Sequence, residues 1–599
     1  MFLLIALLTI FVMVGCEGST NVGGPDAFKD KDELVSYLRG LNENNDYYGI
    51  DAYPEAGTDT TADKSSEDYS KSNDQVEGVN EADRVLTDGS YIYVSAYQAV
   101  HIVNAADLSI VFTKDYENAH IQGLYLRDDR LIVIVDTYAE FDNGDTDAGE
   151  EDSVYDYYWW RSENTRVDIF DVSNKGDVTL DRSLVFPRHR LFDSRMIDGR
   201  LFLMMNRYLS STDLDDDTFL PTYRDSLEGD EDIPLDPKDV HRIPSGDYVH
   251  YLVLADVDVS DDQEPNIKAY LGSASQVYMS TSNLYVTVPT WTYDDTEETY
   301  DRYTTLLRFS VEDEGLIYQA QGNIDGHPLN QFSMDEHESV FRIATSEWVY
   351  ENDDYVNRVY LLDATTNETM EELSVLEDIG EPGERIYAVR FKGEIGYVVT
   401  FEQVDPMYKL DLSDPANPEI LGELHEEGVS DYLHDITDEL MVGVGRMAET
   451  VDGVTRFTGV KIALYDTTGD DPVSLDTFIV EGEYSYTPVV YDHKAFVYFD
   501  RPAENRTYIA VPVVTYGTYW DDYTQGVFVF EINYDGTMEE LAHVTHETET
   551  YYDSINRSLF IGGQFYTVSQ NQIRKFGMDD GFTHTDTVVF RDNDTENEK

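Results

Sequence analysis

Cysteine and basic residues are both scarce in this chain of 599 residues. The single cysteine excludes disulfide bonds within the chain and any metal site built from several cysteines. The 41 lysines and arginines are too few and too dispersed to form the basic surface on which nucleic-acid binding depends. The sequence also lacks a G-x-S-x-G nucleophile elbow, an H-E-x-x-H zinc pair and a glycine-rich phosphate loop. We therefore expect neither a nucleic-acid partner nor a catalytic centre of these kinds.

Acidic residues are abundant instead. There are 120 aspartates and glutamates, which give a net charge of −79, and they are spread along the whole chain. Such a charge destabilises a compact fold by self-repulsion in dilute buffer, whereas molar salt shortens the Debye length to about 3 Å and screens most of it. We interpret the composition as that of a halophilic protein, with ordinary acidic solubility as the alternative. Divalent cations and basic surfaces are the partners that such a charge favours.

The N-terminal sequence predicts that the protein is located outside the cytoplasm. Residues 1–15 form an uncharged apolar run, MFLLIALLTIFVMVG, that stops at Cys16. Its length is typical of a secretory signal, and the small residue before the cysteine resembles the lipobox of secreted lipoproteins, although no Lys or Arg precedes the run and Met13 stands where Leu is usual. We predict that 1–16 is a signal peptide and that Cys16 is lipidated and anchors the chain to a membrane at the cell surface. A cleaved signal with an incidental cysteine and an uncleaved anchor helix are the alternatives.

Residues 17–71 lack a strand pattern. Leu34, Tyr37, Leu38 and Leu41 recur at helical spacing and predict a short helix with one apolar side. The following stretch is acidic, rich in Ser and Thr and poor in large apolar residues, which is typical of a flexible stalk. We predict a folded domain over 72–590 and a polar tail over 591–599.

The folded domain contains a recurring unit of four short strands. An apolar strand reaches a turn, a strand of alternating aromatic and β-branched residues follows, a third strand ends in an acidic turn, and a short strand closes the unit. Nine copies without intervening helices are typical of a β-propeller, in which neighbouring blades cover each other's faces. We predict an all-β fold, a single propeller of eight or nine four-stranded antiparallel blades, because the first and last copies could merge into one closing blade. The turn DLSDPANPEILG is then a blade connection, and we expect Asp411 and Asp414 to be structural.

Several strings resemble a known family. QVEGVNEADRVLTDGSYIY, NQFSMDEHESVFRIAT, SDYLHDITDELMVGVG, YDHKAFVYF and above all VTFEQVDPMYKLDLSDPANP resemble secreted archaeal and bacterial proteins with a C-terminal β-propeller domain. The resemblance runs from about Asp74 to the end of the chain in matching order. It implies a secreted or surface-anchored propeller whose activity is uncharacterised, and it supplies no catalytic residue.

Two acidic groups are candidate ion ligands, with Ca²⁺ as the expected ion because it prefers carboxylate oxygens. The first is Asp142, Asp145 and Asp147 in FDNGDTDAGEED, which does not fit the EF-hand pattern. The second is Glu77, Glu81 and Asp83 in VEGVNEAD, directly before the first blade. These residues either bind an ion or cap the closure of the propeller. In so acidic a chain, a solvated surface is the alternative for both groups.

Other candidates lie on predicted loops. Aromatic residues presented on a loop bind glycans or proteins at little entropic cost, or fold back as a local core; here they are Tyr157, Tyr158, Trp159 and Trp160. Four N-x-S/T sequons fit an extracellular chain: Asn367, Asn505, Asn556 and Asn593. His434 and His493 lie near strand ends, where a hydrogen-bonded histidine is more common than a metal ligand.

Two classes of function fit these observations. The first is a non-catalytic surface module that binds an envelope protein, a glycan or a divalent ion. The second is a propeller enzyme, such as a glycan hydrolase or lyase with paired carboxylates in the central funnel. Two carboxylates within about 10 Å of each other at the funnel, one of them with a raised pKa, would favour the enzyme. Without them, the binding module is the simpler interpretation.

Overall fold

The computed structural model describes residues 26–44, 68–138, 163–209, 213–214, 218–243, 249–294, 299–349, 354–401, 405–451, 454–482, 484–516, 523–546 and 554–590. Cys16, Asp142, Asp145, Asp147, Tyr157, Tyr158, Trp159, Trp160 and Asn593 lie outside these residues. Among the residues that are described, no helix is long and apolar enough to cross a membrane.

One α-helix precedes a series of strands. The elements up to residue 325 are α1 (Lys31–Asn44), β1 (Asn80–Glu81), β2 (Val85–Thr87), β3 (Tyr91–Ala96), β4 (Ala99–Asn104), β5 (Ile110–Asp115), β6 (Ala119–Arg127), β7 (Arg130–Tyr138), β8 (Glu163–Asp171), β9 (Thr179–Phe186), β10 (Arg190–Ile197), β11 (Arg200–Arg207), β12 (Thr222–Asp225), β13 (Ile233–Pro234), β14 (Val240–Arg242), β15 (Tyr251–Asp258), β16 (Asn266–Leu271), β17 (Gln276–Met279), β18 (Asn283–Asp294), β19 (Thr299–Glu312) and β20 (Gly315–Asp325).

The second half continues in the same way. Its strands are β21 (Met334–His337), β22 (Val340–Val349), β23 (Asp354–Asp363), β24 (Glu368–Thr369), β25 (Glu372–Leu376), β26 (Arg385–Lys392), β27 (Ile395–Phe401), β28 (Asp405–Asp411), β29 (Glu419–Glu426), β30 (Val429–Asp435), β31 (Leu440–Val451), β32 (Val454–Asp466), β33 (Val473–Glu481), β34 (Val497–Arg501), β35 (Arg506–Tyr516), β36 (Tyr523–Asn533), β37 (Thr537–Val544), β38 (Arg557–Ile561), β39 (Gln564–Val568), β40 (Gln572–Gly577) and β41 (Thr583–Val589). Short 3₁₀ turns lie at Pro237–Asp239, Gln331–Ser333, Pro488–Val490, His493–Ala495 and Pro502–Glu504.

The described strands form nine sheets, each with a core of four antiparallel strands, and the short strands β14 and β24 add parallel pairs to two of them. Blade one is β2 to β5, blade two is β6 to β9, and blade three is β10, β11, β15 and β16. Blade four is β17 to β20, and blade five is β21, β22, β23 and β25. Blades six to nine are the four consecutive groups of strands that begin at β26, β30, β34 and β38. The prediction of a β-propeller is therefore confirmed, and the first and last copies remain separate blades.

In every blade except the third, the first strand is more buried than the fourth; in blade three the fourth strand, β16, is itself largely buried. In blade seven, for example, β30 is buried almost throughout, whereas β33 alternates between exposed and half-buried positions. Neighbouring blades pack face to face through aromatic residues, as where Tyr285 of blade four stacks on Phe341 of blade five with ring centroids 4.0 Å apart. The first strands therefore surround the axis.

An acidic turn after the third strand recurs from blade to blade. Its aspartate accepts a hydrogen bond from the backbone amide two residues later, and the members are Asp171, Asp258, Asp363, Asp411 and Asp466. Such Asx turns satisfy backbone groups where a strand ends. Hydrogen bonds from Ser413 lower the pKa of Asp411, and those from Asn417 and Ala416 lower the pKa of Asp414. Both aspartates thus belong to the scaffold.

The helix that the spacing of leucines predicts is present, and it packs against the propeller. Leu34, Leu38 and Leu41 are buried, and the first two join the core shared by blades two and three. The backbone amide of Phe28 donates to the carbonyl of Val240 at 3.1 Å. Residues 26–44 are therefore part of the folded head.

The ring closes without exchanging a strand, because blade one and blade nine are each built from consecutive strands. Their contact is lateral: the Tyr566 hydroxyl donates to the Ala105 carbonyl at 2.8 Å, and His101 stacks on Phe590. A second link comes from the chain before blade one, since the backbone amide of Ser70 donates to the Phe560 carbonyl at 2.9 Å. Closure thus depends on side-chain packing and on this preceding segment.

Candidate functional site

Residues 68–84 cross the middle of the ring, and we call them the axial segment. They begin on the inner edge of blade nine, where Tyr69 forms a β-bridge with Ile561. They then touch the inner parts of several blades: the Asn73 side-chain amide donates to the Tyr432 hydroxyl of blade seven at 2.9 Å, and the Gln75 side-chain amide donates to the Gln331 carbonyl beside blade five at 3.0 Å.

The later part of the axial segment continues across the inner strands. Its strand β1 pairs antiparallel with β10, the first strand of blade three. Asp83 then bridges to Leu124 of blade two. The axis, where many propellers have an open channel, is here occupied by the protein's own backbone.

Glu81 is the centre of a buried charge network at the axis, with only 6% of the residue exposed. Its carboxylate oxygens lie 2.8 Å from Nε2 of His493, 3.2 Å from Nζ of Lys494 and 3.5 Å from Nη2 of Arg195. The side-chain amide of Gln331 also donates to it at 3.1 Å. Burial alone would raise the pKa of Glu81, but the charges of Lys494, Arg195 and His493 outweigh burial and hold the pKa well below its ordinary value.

A second carboxylate of the axial segment, Asp83, binds the last blade. The Arg557 guanidinium donates to Asp83 through Nε at 2.6 Å and to Asp492 through Nη2 at 3.0 Å. Burial would raise the pKa of Asp492, yet Arg557 outweighs it and the pKa is lowered. The pKa of Arg557 is raised, since these carboxylates overcome the effect of burial. This arrangement ties the axial segment to blades eight and nine.

Asp74 completes the network on Lys494. The Lys494 ammonium lies 2.5 Å from a carboxylate oxygen of Asp74. Burial would lower the pKa of Lys494, but the charges of Asp74 and Glu81 outweigh burial, and the pKa of Lys494 is raised. In a chain of net charge −79, these cations are concentrated where the axial segment places its acids. Buried ions are tolerated when they are paired and hydrogen-bonded, as here.

The structure separates the three axial acids proposed as calcium ligands. Glu81 and Asp83 are buried and paired with cations, whereas Glu77 is exposed. In the part of the chain that the structure describes, no three His, Cys, Asp or Glu side chains are grouped so that they could hold a metal ion. Calcium binding by Glu77, Glu81 and Asp83 stays a prediction, and the geometry favours their alternative role as a cap on the closure of the ring.

The two histidines also find positions inside the fold. His434 is buried, its Nδ1 lies 2.9 Å from the Tyr432 hydroxyl, and burial lowers its pKa to about 3. His493 contributes to the axial network described above. Among the sequons, Asn367 and Asn505 are exposed and Asn556 is half-buried.

Sequence reasoning singled out Glu81 and Asp83 but missed their basic partners. Arg195, Lys494 and Arg557 are each more than a hundred residues distant in the chain, so no local spacing links them to the acids. One feature of the sequence could have identified Lys494 as a partner of a buried acid. Lysine is rare in this chain, and Lys494 lies in the apolar string YDHKAFVYF, where an unpaired charge would be costly.

A pair of carboxylates does exist at the axis. Arg195 binds Glu81 through Nη2 and Asp193 through Nη1, so both acids share one guanidinium. Burial raises the pKa of Asp193, against the opposing effect of Arg195. Because one guanidinium contacts both acids, their carboxylates lie within about 10 Å of each other, and this proximity and the raised pKa of Asp193 are two conditions expected of a glycosidase pair. The surroundings differ from such a pair, because Glu81 is buried and enclosed by cations.

The propeller fold agrees with the comparison to known families. The family model described as "Beta propeller domain" matches residues 69–581, a span that begins within the axial segment and ends in blade nine. The chain belongs to the Beta propeller domain family.

Relatives of this Beta propeller domain protein come from archaea. It is 31% identical over 280 residues to an uncharacterized protein of Methanocaldococcus jannaschii, an alignment that covers 45% of this chain and 38% of the relative. It is 37% identical over 195 residues to an uncharacterized protein of Archaeoglobus fulgidus, covering 32% of this chain and 28% of the relative. The chain thus spans well under half the length of either relative. A computationally designed protein, Ika8, matches with a TM-score of 0.32 and 9% identity over 78% of this chain and 97% of its own.

Blade eight of the propeller presents a row of tyrosines at the end where the blades are connected. The order is Tyr491, Tyr486, Tyr516 and Tyr523, and the ring centroids of successive members are 6.3, 6.3 and 5.3 Å apart. Tyr491 is 48% exposed and the other three are half-buried. We call these four residues the tyrosine row.

Proposed function

We propose that this propeller is a non-catalytic binding module that works outside the cytoplasm, anchored through Cys16, and that it recognises an envelope protein or glycan of a halophilic organism. The observation that carries the proposal is the axial segment, which occupies the centre of the ring with paired charges. A ligand then has to meet the protein on a face of the ring. The acidic composition and the apolar N-terminal run support the location.

The charge network argues for a structural role of the axis. Glu81 is hydrogen-bonded or ion-paired to several groups at once, and its lowered pKa keeps it ionised at neutral pH. A general acid must hold a proton near the working pH and reach its substrate. Glu81 does neither, so its carboxylate is better suited to fastening the axial segment.

One end of the ring is better placed for contact than the other. In an antiparallel blade, the loop between strands two and three emerges at the same end as the connection to the next blade, and we call this end the loop face. Hairpins here are long in several blades: β18 and β19 have 12 and 14 residues, and β31 and β32 have 12 and 13, whereas β3 and β4 have 6 each. Long hairpins on a rigid scaffold are a usual place for binding residues.

The experiment uses the chain from Glu17 to Lys599, immobilised in molar KCl. We expect it to retain a component from an envelope extract, or a glycan from a printed array, and to leave that ligand chemically unchanged. The matched control is the same protein unfolded by heat before immobilisation. Failure to retain any envelope protein or glycan in molar KCl would contradict the proposal.

A glycan hydrolase or lyase remains the second candidate because Asp193, whose pKa is raised, lies beside Glu81. Its test is the release of new reducing ends from candidate polysaccharides. If Asp193→Asn abolishes such release while the variant melts at the same temperature as the parent, the enzyme replaces the binding module. The control is Asp198→Asn, which changes an exposed aspartate just after the same strand.

A further inference from the structure

We propose that the tyrosine row is a binding site for a neutral polysaccharide chain. This inference rests on the proposed binding function and names the ligand class and the residues. The row is Tyr491, Tyr486, Tyr516 and Tyr523, and it lies on the loop face of blade eight.

The backbone places three of these rings on one face of a small sheet. Tyr516 and Tyr523 are directly paired where β35 and β36 end their hairpin. Tyr486 forms a β-bridge to Val514, two residues before Tyr516, and therefore adds a third strand on the inner side of β35. Because alternate residues of a strand share a face, Tyr486 stands diagonally beside Tyr516, and their ring planes are within 18° of parallel.

The row runs outward from the axis. Tyr491 directly precedes Asp492 and His493, which bind Arg557 and Glu81 in the axial network. At the other end, the Tyr523 hydroxyl is hydrogen-bonded to the hydroxyl of Ser554, beside blade nine. The row is thus fixed at both ends to the rigid part of the ring, so binding would need little ordering of the protein.

The size of the row fits a narrow ligand. A fully exposed aromatic side chain offers about 150–250 Å². Four rings, none more than half exposed, offer well below the roughly 800 Å² that each partner contributes to a standard protein interface. A chain of sugar rings is narrow enough to lie along such a row, and the ring spacing of 5.3–6.3 Å is comparable with the length of one sugar unit.

The charge of the protein disfavours an acidic ligand. A net charge of −79 repels acidic polysaccharides, and His493 and Lys494, the basic residues that follow Tyr491 most closely in the chain, are already paired with Glu81 and Asp74. A cation is recognised best when aromatic rings surround it from several sides. The tyrosines stand in a line instead, and the flat faces of their rings suit stacking against the rings of neutral sugars.

The test is calorimetric titration of the chain from Glu17 to Lys599 in molar KCl with three neutral glycans, namely dextran, laminarin and mannan. Alginate serves as the acidic probe and poly-L-lysine as the basic one. We expect at least one neutral glycan to bind and neither charged probe to do so. Tyr486→Ala and Tyr516→Ala should each weaken that binding by about tenfold.

Two further variants keep the result interpretable. Tyr516→Phe retains the ring and should bind within a few-fold of the parent, whereas Tyr516→Leu retains apolar volume without a ring and should lose affinity while still folding. Trp348→Ala is the matched control, because Trp348 is 39% exposed on the β22–β23 hairpin of blade five, away from the row. It should leave binding unchanged.

The outcomes separate the two proposals. If neutral-glycan binding persists in the Tyr486→Ala and Tyr516→Ala variants, the tyrosine row is not the glycan site, but the proposed binding function still holds. Binding of poly-L-lysine or of an envelope protein alone overturns the neutral-glycan assignment. If the parent protein retains neither glycan nor envelope component, the proposed function fails first.

Discussion

His493 and Glu81 are 412 residues apart in the chain, yet Nε2 of the histidine lies 2.8 Å from the glutamate carboxylate at the axis of the ring. One residue belongs to the segment before the first blade, and the other to the turn that leads into the eighth. The contact therefore connects the beginning of the propeller to its end through the centre, in addition to the lateral contact between blades one and nine.

Glu81→Gln should lower the free energy of unfolding by about 3–5 kcal/mol, because it leaves Lys494 and Arg195 buried beside a neutral amide. Chemical denaturation in molar KCl measures the change. Glu77→Gln is the matched control, since Glu77 is exposed and its replacement should change stability by no more than about 0.5 kcal/mol. Equal effects of the two changes would show that the axial ion pairs contribute nothing specific.

The stabilisation by Glu81 should depend on pH. Its pKa is lower in the folded protein than in the unfolded chain, so its contribution is fully present above the unfolded pKa and is lost as the pH falls through the folded pKa. The difference in stability between the parent and Glu81→Gln should thus be constant from pH 7 down to about 5 and shrink below about 4. Melting curves at each pH check this. A difference that grows on acidification would contradict the pairing.

The axial segment should be necessary for a stable ring. A chain that begins at Asp68 keeps the bridge from Tyr69 to Ile561 and all of the axial acids, whereas a chain that begins at Val76 loses Asp74 and the link to blade nine. We expect the first to melt cooperatively and the second to melt at a markedly lower temperature or to aggregate. Both chains lack α1, so they are controls for each other. Similar melting temperatures would show that residues 68–75 contact the ring without stabilising it.

Calcium titration distinguishes the two predicted acidic groups. We expect the axis to provide no calcium site, because the carboxylates of Glu81 and Asp83 are already engaged by Lys494 and Arg557. Saturable binding in molar KCl should then survive Glu81→Gln and disappear when Asp142, Asp145 and Asp147 are all replaced by Asn. Loss of binding in Glu81→Gln alone would restore the axial acids as ligands.

Much of the fold could be predicted from the sequence, because each blade repeats a local pattern. The alternation in strands such as YIYVSA and the recurring acidic turn are short-range signals, and they identify the propeller before any long-range contact is known. The sequence could not decide between eight and nine blades, because the count depends on whether the strands that contain Val85 and Leu559 belong to one sheet or to two. That is a contact between the two ends of the domain, and no local pattern reports it.

The site was predicted only in part. The string around Glu81 and Asp83 could be picked out, but a carboxylate looks the same in sequence whether it binds calcium or a distant guanidinium. Whether Glu81 and Asp83 bind calcium or a basic side chain depends on Arg195 and Arg557, which blades three and nine bring to the axis. The tyrosine row was missed for a similar reason, since Tyr486 joins Tyr516 only through a bridge on the inner side of the hairpin.

The docking of α1 on the propeller changes how far the head can move from a membrane. If Cys16 carries lipid, the tether between it and the docked backbone is the nine residues 17–25, because the carbonyl of Asp26 already accepts a hydrogen bond from the Arg242 amide at 3.0 Å. Fully extended, that tether reaches about 30 Å, whereas a free stalk to residue 71 would reach several times as far. The protein would then sample a thin layer next to the bilayer, with the side of blades two and three turned toward it, and would meet ligands that lie close to the membrane surface.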